Sequence, residues 1–190
     1  VIPHITNEIK NYIKTLSQTG EHDIVITEVG GTVGDIESLP FIEAIRQLKW
    51  ELEGDAISIH LTLVPFLAAA AELKTKPTQN SVKKLRELGL QPDILVCRTE
   101  HKLNNDIRKK IALFCNVETN AVIESIDANS IYDVPLLMQK ESLDKVVMNK
   151  LKLNDKKKVD LKSWNIFLNQ LKNPTKEIKI AIIGKYVELQ

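Results

Sequence analysis

Residues 93–126 read DILVCRTEHKLNNDIRKKIALFCNVETNAVIESI, and the order of patterns within them decides the fold. Asp93–Arg98 (DILVCR) is a short, mostly apolar run of strand length. Asp106–Cys115 follows at helical spacing, with Arg108, Lys109 and Lys110 on a basic flank and an apolar face that includes Ile111 and Phe114. Ala121–Ile126 is a second apolar run of strand length. A strand, a helix and a strand in this order predict a right-handed crossover and parallel pairing.

Working outward, Ala56–Pro65 (AISIHLTLVP) predicts another strand, and Gln79–Leu88 a basic amphipathic helix between it and Asp93. Upstream, Asp23–Glu28 (DIVITE) predicts a buried strand that opens onto Gly30, Gly31 and Gly34. Ser38 is a plausible helix N-cap, and Pro40 suits the first turn of a helix whose apolar face carries Phe41, Ile42, Ile45, Leu48 and Leu52. Ile5, Ile9, Tyr12, Ile13 and Leu16 form one stripe of a further helix closed by Gly20. The class is α/β: a mostly parallel sheet with flanking helices. Residues 1–150 are expected to form the main unit, and residues 151–174 a linker with a short helix at Val159–Leu171. A second α/β domain is expected to begin over 175–190, its first strand at Ile178–Val187. Lys145–Lys158 holds six lysines against Asp155 alone, a solvated helix end and linker. The chain opens at Val1 without an initiator Met and stops at Gln190 within an apolar-rich segment, so an excerpt of a longer protein is expected.

With 190 residues, 43% hydrophobic and 27% charged, the composition is that of an ordinary globular protein. A net charge of +1 gives no global field toward nucleic acid or an anionic membrane. Cys97 and Cys115 sit in apolar runs without CxxC spacing and read as reduced, buried thiols, which suits a cytoplasmic protein. No signal peptide or membrane-length apolar stretch is legible. The four histidines show no metal-ligand spacing, and no Ser-His-Asp or Cys-His arrangement can be read.

Three segments could carry chemistry. Glu28-Val29-Gly30-Gly31-Thr32-Val33-Gly34-Asp35-Ile36-Glu37 lies where open α/β sheets place ligands, at the carboxyl end of an expected strand. Its glycines allow close backbone approach, and its three carboxylates suit a hard divalent cation on phosphate. The plain alternative is a turn with helix-capping acids. In Lys74-Thr75-Lys76-Pro77-Thr78-Gln79, Pro77 pushes Lys76 toward an extended conformation. With Lys74 extended as well, the two ammonium groups would project to one side about 6.6 Å apart, suited to neighbouring phosphates. Thr78 has a plainer role open to it, as a helix cap. Lys110 and Phe114, four apart, are neighbours on one helix surface, although Phe114 by itself reads as core. No GxxxxGK[ST] phosphate loop is present.

The runs VIPHITNEIK, EVGGTVGDIESLPFIEAIRQ, HLTLVPF, ELKTKPTQNSVKKLRELGLQPDILVCR and KIALFCNV resemble the CTP synthase family in order and spacing. The resemblance runs from Val1 to about Leu137 and returns at IAIIGKYVEL, which looks like the opening strand of that family's glutaminase domain. It identifies the chain as the C-terminal part of a P-loop amidoligase-like synthetase domain, lacking its N-terminal P-loop portion, plus that first strand. The resemblance implies an ATP-dependent ligase that phosphorylates the 4-oxygen of UTP and lets glutamine-derived ammonia displace the phosphate to give CTP. It implies Glu28 as a Mg2+ ligand and Lys74, Thr75, Lys76, Pro77, Thr78, Gln79 and Lys110 around the UTP triphosphate. Feedback by CTP would use the same residues with Asp35, Ile36, Glu37 and Phe114, and Ala128 would contact ATP through its backbone. A homotetramer is implied too, and the chain alone is expected to be inactive. Two alternatives stay open: another P-loop amidoligase, against which KTKPTQ speaks, and a non-catalytic assembly module.

Overall fold

The computed structural model describes residues 2–154, 159–181 and 183–185 and divides into two compact units, Val1–Asp155 and Lys156–Gln190. In the first unit, the stripe from Ile5 to Leu16 becomes helix α1 (His4–Ser17), and the segment from Leu39 becomes α2 (Leu39–Glu51) with Pro40 in its first turn. Ser38 occupies the N-cap position without capping, because its hydroxyl donates to the Asp35 carbonyl oxygen at 2.8 Å. Glu51 receives Lys10 at 2.5 Å and Lys14 at 2.9 Å, which ties the two helices together.

Strand β1 (Ile59–Leu63) leads into a short antiparallel hairpin, β2 (Phe66–Leu67) and β3 (Glu72–Leu73). Helix α3 (Lys76–Glu87) returns along the sheet to β4 (Ile94–Thr99), and α4 (Asn105–Cys115) returns to β5 (Val122–Ile126). The three long strands are parallel in the order β1-β4-β5, as the alternation of patterns predicts. Helices α5 (Val134–Lys140) and α6 (Leu143–Lys150) complete the unit.

The core lies on both faces of this sheet, which explains why β4 carries no polar alternation. On one face Val82 of α3 and Ile111, Ala112 and Cys115 of α4 pack on Val64, Leu95, Cys97 and Val122. On the other, Ile94 and Ile123 meet Val146, with Met138, Leu143 and Val147 partly buried around them. Burial pushes both thiols up to about 11, so neither cysteine is a nucleophile at neutral pH. In the second unit α7 (Lys162–Lys172) forms where the Val159–Leu171 pattern predicts a short helix.

Two expected strands are not seen among the described residues. Asp23–Glu28 has no regular secondary structure and pairs with no strand among the described residues, and Ile26 is 91% exposed. A β-branched run makes a good pleated surface, but a strand also needs a ladder for its backbone groups, and none is offered here. Ile178, Lys179, Ile180 and Ala181 are likewise in no strand pairing among the described residues and exposed; Ile182, Tyr186 and Val187 of that expected strand lie outside the described residues. No helix among the described residues is long and apolar enough to cross a membrane.

Helix α4 is held against the sheet by one cation. The Arg108 guanidinium donates to the Val122 carbonyl oxygen at 2.8 Å and to Glu141 at 2.6 Å, and Glu124 lies at 3.4 Å. Burial alone would raise the Glu141 carboxyl, but bonds from Arg108 and the Glu124 N–H, with the Arg108 charge, bring it below the usual carboxylate value. A depressed carboxyl stabilises the fold fully above its unfolded value, about 4.3, and loses that contribution as pH falls through the lower folded value. Glu141→Gln is therefore expected to lower stability at pH 7 and to flatten its loss on acidification below about pH 4.3. Urea unfolding across a pH series measures both.

Candidate functional site

The carboxyl ends of β1 and β4 define one edge of the sheet, and the hairpin and the start of α3 lie over it. Thr78 is fully buried there, its hydroxyl donating to the Leu63 carbonyl oxygen at 3.0 Å and lying 3.2 Å from the Thr62 hydroxyl. Thr75 is buried too, and its hydroxyl accepts from the Gln79 amide at 3.0 Å. The Lys74 N–H donates to the Pro65 carbonyl oxygen at 2.9 Å, which closes the hairpin. These contacts leave Lys76 and Pro77 exposed at the first turn of α3, whose free N–H groups favour anions.

This geometry corrects two expectations. Lys76 is not extended: it is the first residue of α3, with Pro77 in the first turn, where a missing N–H costs nothing. The extended 6.6 Å spacing of the two lysines therefore does not apply. Thr78 is not a cap either; its hydroxyl is taken by the end of β1. Half of the Lys74–Gln79 segment is thus structural, and Lys74 and Lys76 remain to face solvent.

Helix α4 brings Lys110, exposed, to the same neighbourhood. The Glu72 carboxyl lies below its usual range because Lys74 bonds and attracts it, and the charge of Lys110 adds to that pull. Phe114 is 55% exposed rather than core, because Ile111, Ala112 and Cys115 take the buried stripe of α4. Lys110 and Phe114 therefore share an outward surface, as their spacing implies.

The glycine segment stands apart from this edge in sequence and in form. Gly31 and Gly34 have positive φ, the Asp35 N–H bonds the Thr32 carbonyl oxygen, and Ile36–Ser38 forms a single 3-10 turn into α2. Glu28 is exposed and lines a cleft of about 460 Å³ with Glu8, Ile9, Tyr12, Phe41 and Ile45. Among the described residues no three His, Cys, Asp or Glu side chains converge as a metal site, so Glu28, Asp35 and Glu37 are not gathered at one point. Ala128 is exposed in the loop after β5.

Three contacts at the sheet edge escape a sequence reading. The Phe66 ring of the hairpin meets the His101 ring in a tilted contact at 4.0 Å between centres, which ties the hairpin to the loop after β4. Arg98 pairs with Asp127 at 3.3 Å across the ends of β4 and β5. Glu72, in β3, pairs with Lys74, which follows that strand directly.

A family model described as CTP synthase N-terminus matches residues 1–153. The chain belongs to the CTP synthase family. The CTP synthase of Cytophaga hutchinsonii is 65% identical over 190 residues, all of this chain and 35% of that protein. The CTP synthase of Christiangramia forsetii is also 65% identical, over 191 residues and 35% of its length. That of Porphyromonas gingivalis is 54% identical, again over the whole chain. This chain thus spans about a third of the length of these relatives. The match corrects the expected assignment within the family. Residues 1–153 correspond to the CTP synthase N-terminus, not to a C-terminal synthetase part, and the match stops before the supposed glutaminase strand at Ile178–Val187.

The buried Thr78 hydroxyl is the test of how the family segment is held. Thr78→Val keeps shape but leaves the Leu63 carbonyl oxygen without that donor, and is expected to cost about 1–3 kcal/mol in urea unfolding. Asn80→Ala, at an exposed position of the same helix, should stay within about 0.5 kcal/mol of the parent.

Proposed function

We propose that this chain, within a longer protein, supplies the UTP- and CTP-binding part of a CTP synthase. The observation that carries this reading is the anchored start of α3 at the sheet's carboxyl edge, with Lys76 exposed, Lys74 partly exposed and paired only with Glu72 among the described residues, and Lys110 close by. A triphosphate needs cations and free N–H groups on a rigid base, and these three lysines with the helix N-terminus offer both. Thr75, Thr78 and Gln79 serve the site by holding it, and Pro77 by fixing the turn. Residues 1–150 act as the synthetase portion and residues 151–174 as a connection beyond it.

The reaction assigned to the whole protein is transfer of phosphate from ATP to the 4-oxygen of UTP, followed by displacement of that phosphate by glutamine-derived ammonia. Magnesium, when bound, neutralises phosphate charge. Glu28 fits it as one hard oxygen donor, and among the described residues no cluster of three His, Cys, Asp or Glu joins it. Ala128 is assigned to the ATP side through its backbone. Asp35, Ile36, Glu37 and the exposed Phe114 are assigned to the CTP base and ribose. A homotetramer in the cytoplasm completes the reading.

UTP and CTP share a triphosphate, so Lys74→Ala and Lys110→Ala in the full-length protein should weaken both by about 1.5–3 kcal/mol. Glu37→Ala should relieve CTP inhibition while leaving the Michaelis constant for UTP nearly unchanged. Steady-state kinetics with CTP titrated at fixed UTP reads all three. Unchanged UTP and CTP constants for both lysine variants would remove the triphosphate from this edge.

A further inference from the structure

Glu72 is the only charged residue in the hairpin segment FLAAAAEL, residues 66–73, and its carboxylate is spent on Lys74. The pairing is local. Lys74 follows β3 directly, two residues after Glu72, and the backbone bond from Lys74 to the Pro65 carbonyl oxygen fixes that end of the hairpin. The hairpin tip, Ala68–Ala71, offers no side chain that could compete for either group. Both partners are substantially exposed, so the pair is weak and open to exchange.

We propose that Glu72 is a built-in competitor for the nucleotide triphosphate: its carboxylate occupies Lys74 until phosphate displaces it, and so sets the affinity of the site. The inference rests on the triphosphate reading of Lys74 and extends it to regulation of that site. Three ammonium groups beside the positive end of α3 would repel one another and attract any passing anion. One internal carboxylate removes part of that charge and holds Lys74 in position. Phosphate oxygens then have to replace the carboxylate at Lys74 and tolerate its negative charge nearby. Both effects weaken phosphate binding, and neither alters the buried bonds of Thr75 and Thr78. Lys110, on a different element, keeps its charge facing the site whether or not Glu72 is present.

The experiment is calorimetric titration of the full-length protein with UTP and, separately, with inorganic tripolyphosphate. Glu72→Gln is expected to tighten both ligands about threefold to tenfold, the range for losing one exposed ion pair and one nearby repulsion. Glu72→Asp, which keeps the charge, should stay near the parent. In a Lys74→Ala background, Glu72→Gln should gain clearly less, since no ammonium is left to release. Unchanged affinity in Glu72→Gln, or an equal gain in both backgrounds, overturns the competitor role. If Lys74→Ala alone leaves UTP binding unaltered, the triphosphate reading itself fails. A loss with Lys74→Ala and no gain with Glu72→Gln sinks only the competitor.

Discussion

A buried hydroxyl has to be satisfied, and in this chain the one on Thr78 decides how the sheet edge is built. Its bond to the Leu63 carbonyl oxygen fixes the start of α3 over the end of β1. The hairpin then closes through Lys74 and Pro65, and Thr75 locks Gln79 into the first turn. Breaking such a contact leaves a buried acceptor dry, a larger penalty than the net worth of the bond. The lysines can be spent on a ligand because the threonines are spent on the fold.

Helix α4 shows the same division of labour by a different means. Arg108 binds two carboxylates and a carbonyl oxygen between α4, β5 and the end of α5, so the helix has a defined roll. That roll turns Lys110 and Phe114 outward. An exposed phenylalanine next to a lysine is a poor use of apolar surface in an isolated domain, and a reasonable one beside a pyrimidine nucleotide.

The parallel sheet was legible because β4, α4 and β5 carry their periods without interruption. No ladder is seen at Asp23–Glu28 among the described residues for a physical reason: composition reports compatibility with a sheet, whereas pairing depends on partners far away in sequence. Lys76 was misjudged because the rule for residues before proline competes with helix initiation, where proline is welcome. Of the candidate site, the shared surface of Lys110 and Phe114 was legible from their spacing, whereas the exposure of Phe114 was not. The burial of Thr75 and Thr78 and the contact of the Phe66 and His101 rings depend on which elements meet, and no local pattern encodes that.

Amide hydrogen exchange of the full-length protein with and without UTP tests most directly whether the hairpin, the start of α3 and the outer face of α4 form one nucleotide site. Saturating UTP is expected to slow exchange over residues 72–80 and 105–115 and to leave 162–172 unaltered. Slowing elsewhere with no change over 72–80 would contradict a triphosphate held at this edge.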